Sequence, residues 1–390
     1  MVTQVGNINI SFKGYDARHL QGLAMSSNFH GIASEMFKIA KKEHFDLFFY
    51  DETKRVVDKF GEKSICYEFK DGWIQDIVSI IKDNYTCRNL DAGKAFGEYF
   101  NLYPNKRQSA LRNCILKRNV ESFLCSSHIE GGNFFLAKNA QGEEVALIGQ
   151  NDFNRFLPST LKQIFGTHNI CSVPQRDFHL DLFIRPLDKG RVLLTDDNLS
   201  LDMFSEGIDK IKAQLFRTNF FSVIKRFNLI SLLSALKEQK KQFEKEISKN
   251  CYSSVNRVDT MLQDVGFETQ RVPGRIYNTE VASCGRRQVG LSHIQNFMNA
   301  NVLLNSNNEL IYITNGTLLD SKLGITPKLQ DEIDFGFERS FVKALAPYVK
   351  KEHIHFVRGK NNVIPDLLLP HLKGGIHCLC TEIPNKNNNI

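Results

Sequence analysis

The chain has 390 residues, 42% hydrophobic and 24% charged, enough apolar content for one large core or two smaller ones and too much for a disordered polymer. Its net charge of +7 spreads 50 Lys and Arg among 43 acids, so outside one helical stretch there is no concentrated basic face of the kind a nucleic-acid binder presents. Nine cysteines at irregular spacings, with no CxxC and no Cys/His zinc pattern, point to reduced thiols in a cytoplasmic or cytosol-like compartment, and no apolar run approaches the ~20 residues that span a bilayer.

Residues 1–55 have strand-like runs at 8–12 and 47–50 and no basic-then-apolar leader, so they form an N-terminal segment without an assigned role; export by a route lacking a cleaved signal stays compatible with it. Further β-rich runs follow at 64–69, 134–137, 145–149, 178–185, 192–195, 310–314 and 355–357, with helical stretches between them, which is the pattern of an α/β chain. Asn139-Ala140-Gln141-Gly142 and Asp188-Lys189-Gly190 read as hairpin turns, so the sheets are expected to be mixed, not purely parallel. From about 202 to 250 the sequence carries no proline and spaces apolar residues for one or two amphipathic helices, ending in the charged run 237–246. This reads as a helical insertion packed on its own domain with a solvated outer face; the functional alternatives are a partner surface or a lid. The Lys- and Asn-rich residues 385–390 are expected to be a disordered tail.

Five segments carry candidate chemistry. Lys373-Gly374-Gly375-Ile376-His377-Cys378-Leu379-Cys380 places a thiol just after two glycines that let the backbone bend. Trp73-Ile74-Gln75-Asp76 ends in a carboxylate, and Glu130-Gly131-Gly132-Asn133 puts another before a turn leading into the run at 134–137. If 178–185 is a strand, His179 and Asp181 project from one face. Phe297-Met298-Asn299 sits in an Asn-rich run. In an extended segment His377 would point away from Cys378 and serve structure, while Cys380 would share the face of Cys378 as a core residue. His353-Ile354-His355 has the spacing of a metal pair and is read as surface. Each segment alone has a structural explanation; it is their order that carries information.

That order, WxxD, EGG, HxD and a terminal GGxHC, resembles the guanidine-modifying enzymes of the pentein superfamily, peptidylarginine, arginine and agmatine deiminases among them. The resemblance covers about residues 60 to 384. It implies a five-bladed ββαβ α/β propeller, with residues 56–384 as the catalytic domain and 202–250 inserted in it. Cys378 is then the nucleophile, His179 the acid and base, and Glu130 the carboxylate that orients His179. Asp76 and Asp181 hold the guanidinium, and Asn299 fixes substrate or the sulfur's loop. Asp91, in Asp91-Ala92-Gly93 with Phe96 following, resembles the agmatine-type DxGPxF with Lys94 in place of proline and rivals Asp76. The implied reaction converts arginine, preferably protein-bound, to citrulline and ammonia, with no metal or organic cofactor in the chemical step. The same frame accommodates a small-molecule agmatine or arginine deiminase, a dimethylarginine hydrolase and an amidinotransferase. A different class is a pentein that binds a protein partner through the 202–250 helices without turnover.

Overall fold

The computed structural model describes residues 20–27, 29–51, 64–66, 74–82, 84–104, 128–175, 179–249, 255–284, 286–317, 327–359 and 375–384. The strand expected at 8–12, the tail at 385–390, Trp73 and Gly374 lie outside them. In chain order the elements begin with β1 (Leu20–Ser26), α1 (His30–Glu43), β2 (Asp46–Asp51) and β3 (Ser64–Cys66). Next come α2 (Ile74–Ile77), β4 (Val78–Ile81), β5 (Asn84–Cys87), α3 (Leu90–Phe100) and β6 (Tyr103–Pro104). A third group is β7 (Phe134–Lys138), β8 (Glu144–Gly149), α4 (Gln150–Phe153), α5 (Pro158–Phe165) and β9 (Asn169–Val173). A fourth is β10 (Ile184–Pro186), β11 (Arg191–Thr195), α6 (Asp197–Arg217), α7 (Val223–Lys249), α8 (Val255–Asp264) and β12 (Glu268–Val272). The hairpin β13 (Arg275–Cys284) and β14 (Arg286–Asn296) precedes β15 (Ala300–Leu304), β16 (Leu310–Asn315), α9 (Pro327–Leu345), β17 (Ile354–Val357) and β18 (Cys380–Pro384).

One pattern recurs. β4 and β5, β7 and β8, β10 and β11, and β15 and β16 are antiparallel pairs, and in each the second strand pairs in parallel with the strand that follows the intervening helix, β6, β9, β12 or β17. The parallel step requires a crossover, which the helices supply. The fifth sheet repeats the pattern with strands from opposite ends of the chain: β18 pairs antiparallel with β1, β1 pairs parallel with β2 across α1, and β3 adds at the edge. Residues 20–51, part of the N-terminal segment without an assigned role, are therefore integral to the sheet that carries the C-terminal strand. These small mixed sheets agree with the α/β expectation and with both predicted hairpin turns, where Gly142 and Gly190 take φ of +78° and +73°.

The crossover helices each carry one apolar stripe, and α3 and α6 also have a capping side chain. In α1, Ile32, Ala33, Met36, Ile39 and Ala40 follow helical spacing and are buried, and Lys41 and Lys42 occupy the last turn, where cations suit the helix dipole. Asn89 caps α3 by accepting from the amides of Asp91 and Ala92, and Phe96 and Phe100 pack edge-to-face against β2 residues Tyr50 and Phe48. Asp196 caps α6 in the same way. The insertion expected near 202–250 is the helical hairpin of α6 and α7, whose inner faces bury Phe204, Ile208, Leu229, Leu232 and Phe243 in one cluster with Phe337 and Phe341 of α9.

The first strands of four sheets converge. Ser79 and Ile80 of β4, Phe134 to Leu136 of β7, Arg185 and Pro186 of β10, and Thr381 and Glu382 of β18 line one cleft together with Gln75, Gly131 and His377. The candidate residues gather beside this cleft.

Candidate active site

His179 is not in a strand. It is extended, with φ −126° and ψ 151°, and leads into a 3-10 turn, Leu180–Leu182, before β10 begins. The apolar side chains of Leu180 and Leu182, both buried, fix that turn. Expected strand alternation is thus replaced by a tighter bend, yet it still brings His179 and Asp181 together, with Nδ1 of His179 4.0 Å from Oδ1 of Asp181. Glu130 comes from the other predicted turn, just ahead of the 3-10 segment Gly131–Asn133 that feeds β7. Nε2 of His179 donates to Oε2 of Glu130 at 2.6 Å, while Arg88 holds the other carboxylate oxygen at 2.9 Å. The hydrogen bond from His179, chiefly, keeps the Glu130 carboxyl far below its usual range, at about 2. A side chain at position 132 would collide here: a Cβ on Gly132 would lie 2.6 Å from Nδ1 of His179 and 3.0 Å from Oδ2 of Asp181.

Cys378 sits in a turn over 376–379, closed by amide bonds from Leu379 to Gly375 and from Cys380 to His377. Three asparagines bond this turn and a fourth holds one of them in place. Oδ1 of Asn315 and Nδ2 of Asn301 bond the amide and carbonyl of Ile376, Oδ1 of Asn299 accepts from the amide of His377, and Asn296 caps the amides of Met298 and Asn299. Gly375 passes so close that a Cβ there would be 2.6 Å from Oδ1 of Asn299. Nδ2 of Asn299 then donates both to Oδ2 of Asp181 at 2.8 Å and to Sγ of Cys378 at 3.2 Å. Sγ is 3.7 Å from the same carboxylate oxygen. His179, Asp181, Asn299 and Cys378 are each 2% exposed or less, and His179, Asp181 and Cys378 each offer a donor atom within 4.8 Å of the others.

His377 faces inward, contrary to the expectation from alternation, because its segment is a turn. Its Nδ1 donates to Oδ2 of Asp181 at 2.6 Å, and its Nε2 is met by Nη1 of Arg185 at 2.7 Å and by Nε2 of Gln75 at 2.8 Å. A guanidinium only donates, so Nε2 has to accept and the ring proton belongs on Nδ1. Arg185, itself buried, lies 5.1 Å over the Phe135 ring and also bonds Glu382 at 3.0 Å. Oδ2 of Asp181 is thereby saturated by three donors, whereas Oδ1 has no hydrogen-bond partner among the described residues.

Asp76 lies in α2, and the amide of its neighbour Gln75 donates to the carbonyl of Cys378 at 3.4 Å. The Asp76 backbone is therefore beside the sulfur's turn, while its side chain is outside the described atoms. Its rival Asp91 is exposed in the first turn of α3. Cys380 opens β18 within the cluster of Leu23, Met25 and Leu379, as a core residue should, and burial pushes its thiol up to about 12. His353 and His355 each bond the buried Glu43 of α1, at 2.7 Å, and so tie α1 to β17. Sequence reasoning missed Arg185, Arg88 and the positioning asparagines 301 and 315. Arg185 follows the HxD by only four residues, and a basic residue so near a carboxylate was the available signal.

No family model matches the chain, and no curated protein matches it. Among solved structures it is similar to the one titled "C. Jejuni Agmatine Deiminase", at 15% identity over 95% of each chain with a TM-score of 0.47.

Proposed function

We propose that this chain is a cysteine-dependent hydrolase of guanidines, built as a pentein propeller from its five ββαβ sheets, that deiminates arginine to citrulline and ammonia. Arginine held in a protein is the preferred substrate, on the strength of the Trp73-Ile74-Gln75-Asp76 segment. The observation that carries the reading is the meeting of Cys378, His179, Asp181, Asn299 and Glu130, drawn from four distant segments, in one cluster of which all but Glu130 are buried. Oδ1 of Asp181, buried beside a thiol and without a hydrogen bond among the described residues, is an acceptor suited to one N–H of a planar cation.

In this mechanism the bound cation stabilises the Cys378 thiolate, His179 takes the thiol proton, and the sulfur attacks the guanidinium carbon, forming a C–S bond. His179 gives a proton to the departing nitrogen as the C–N bond breaks and ammonia leaves. A thiouronium remains on Cys378. Water then attacks its carbon while His179 takes up a proton, the C–S bond breaks, and a ureido product is released. Glu130 orients the imidazole throughout, and the neutral His377 with Asn299 holds Asp181 in register.

Incubation with arginine, agmatine and an arginine-bearing protein should yield a ureido product and ammonia from at least one of the three. No product from any of them rejects the reading. Cys378→Ala should abolish turnover and cost no more than about 1 kcal/mol of stability, since one small buried atom is lost. If Cys380→Ala removes activity instead while Cys378→Ala retains it, the wrong sulfur has been assigned.

A further inference from the structure

Of the eleven large apolar side chains that stand exposed among the described residues, seven lie within fifteen residues at the tip of the α6 and α7 hairpin. Phe216 ends α6, Phe220 and Phe221 occupy the connecting turn, and Val223, Ile224, Phe227 and Ile230 continue along α7. Phe216 and Phe221 are 93% and 88% exposed. The helix is apolar on two sides here: Leu229, Leu232 and Leu236 are buried against the core, while Val223, Phe227 and Ile230 recur at helical spacing on the outside. A solvated helix face would be polar, so this outer stripe calls for a partner.

Charge says which partner. From 210 to 237 the sequence contains no Asp or Glu, and it contains Lys210, Lys212, Arg217, Lys225, Arg226 and Lys237. Arg217 and Lys225 are exposed among the phenylalanines, and Arg226 spans the turn by bonding the carbonyls of Leu215 and Thr218. Two copies meeting tip to tip would bring like charges together. A convex end bearing phenylalanines amid cations suits a surface that is fluid, apolar just beneath and negative on top.

We propose that this hairpin tip docks on the surface of a bilayer containing anionic lipid, with its phenylalanines in the interfacial layer and Arg217 and Lys225 at the headgroups. This is attachment to one face, not a span, and it is independent of the chemistry at Cys378. The test is flotation of the purified full chain with phosphatidylcholine vesicles, with and without phosphatidylserine. The wild type should float with the phosphatidylserine vesicles and far less without them. Phe220→Ser with Phe221→Ser should lower partitioning roughly tenfold or more. Arg217→Glu with Lys225→Glu should remove the preference for phosphatidylserine. Because all four side chains are exposed, both double variants should keep the wild-type thermal unfolding. Three outcomes overturn the proposal: no flotation with either vesicle, equal flotation of wild type and the phenylalanine variant, or a dimer that this variant converts to monomer while vesicles bind neither. Retention on an acidic polypeptide matrix without flotation would assign the face to an acidic protein instead.

Discussion

The two oxygens of Asp181 are in opposite situations, one saturated by His377, Asn299 and the Cys378 thiol, the other without a hydrogen bond among the described residues. One carboxylate can thus be held rigidly and still receive a ligand, which is what preorganisation demands. Glu130 has the complementary task. Its carboxyl falls from an ordinary 4.5 to about 2, mainly through His179, so folding favours the charged form. With the folded pKa depressed, this contribution is complete above the unfolded value and is lost as pH falls from about 4.5 toward 2. Glu130→Gln should therefore be less stable than wild type near neutral pH, and the gap should close over that acid window in urea melts taken across pH. A gap independent of pH would mean that the carboxylate charge is not what His179 binds. At this scale the sequence was informative about identity and poor about geometry. Strand alternation predicts a shared face for His179 and Asp181, but they meet because a 3-10 turn folds them together. The same alternation points His377 away from Cys378, and it fails inside a turn stiffened by asparagines from far along the chain.

Two of the hairpins are closed by the same device. Asn139-Ala140-Gln141-Gly142-Glu143 joins β7 to β8 and Asn305-Ser306-Asn307-Asn308-Glu309 joins β15 to β16. In each, the asparagine Oδ1 accepts the amides two and four residues on, and its Nδ2 donates to the glutamate. The side chain stands in for backbone partners that a tight turn cannot supply. Asn139 also donates to the carbonyl of Val265, which links its hairpin to the end of α8. Asn139→Ala and Asn305→Ala should each cost about 1–2 kcal/mol in chemical denaturation, Asn139 the more because it loses the bond to Val265 as well. Equal and negligible losses would show that the strands set these turns without help. Such turns were legible in the sequence because Asn and Gly have local conformational reasons to be there. The shortest edge strand was not: β6 spans two residues, too few to show any apolar alternation.

Periodicity could not supply the repeated sheet order, which only the resemblance in motif order led one to expect, and neither pointed to β1 meeting β18 across nearly the whole chain. Periodicity finds elements; it does not say which will pair. That closure matters for the site, since Cys378 lies two residues before β18 and its turn is anchored by whatever holds that strand. β1 holds it, through a ladder from Leu20 opposite Pro384 to Met25 opposite Cys380. Removing residues 1–51 would strip away ten large buried apolar side chains, from Leu20 to Tyr50. At about 1.5–3 kcal/mol each, the lost burial is of order 15–30 kcal/mol, beyond the roughly 5–15 kcal/mol by which a domain is stable. The face of β18 and the cluster of Leu379, Ile311 and Ile313 would be left open to water. The truncated chain should therefore lose its cooperative thermal transition and bind a hydrophobic dye, with Cys378 becoming rapidly alkylable where the intact protein protects it. A truncated chain that melts cooperatively and keeps that thiol protected would mean the sulfur's turn is held by the asparagines alone.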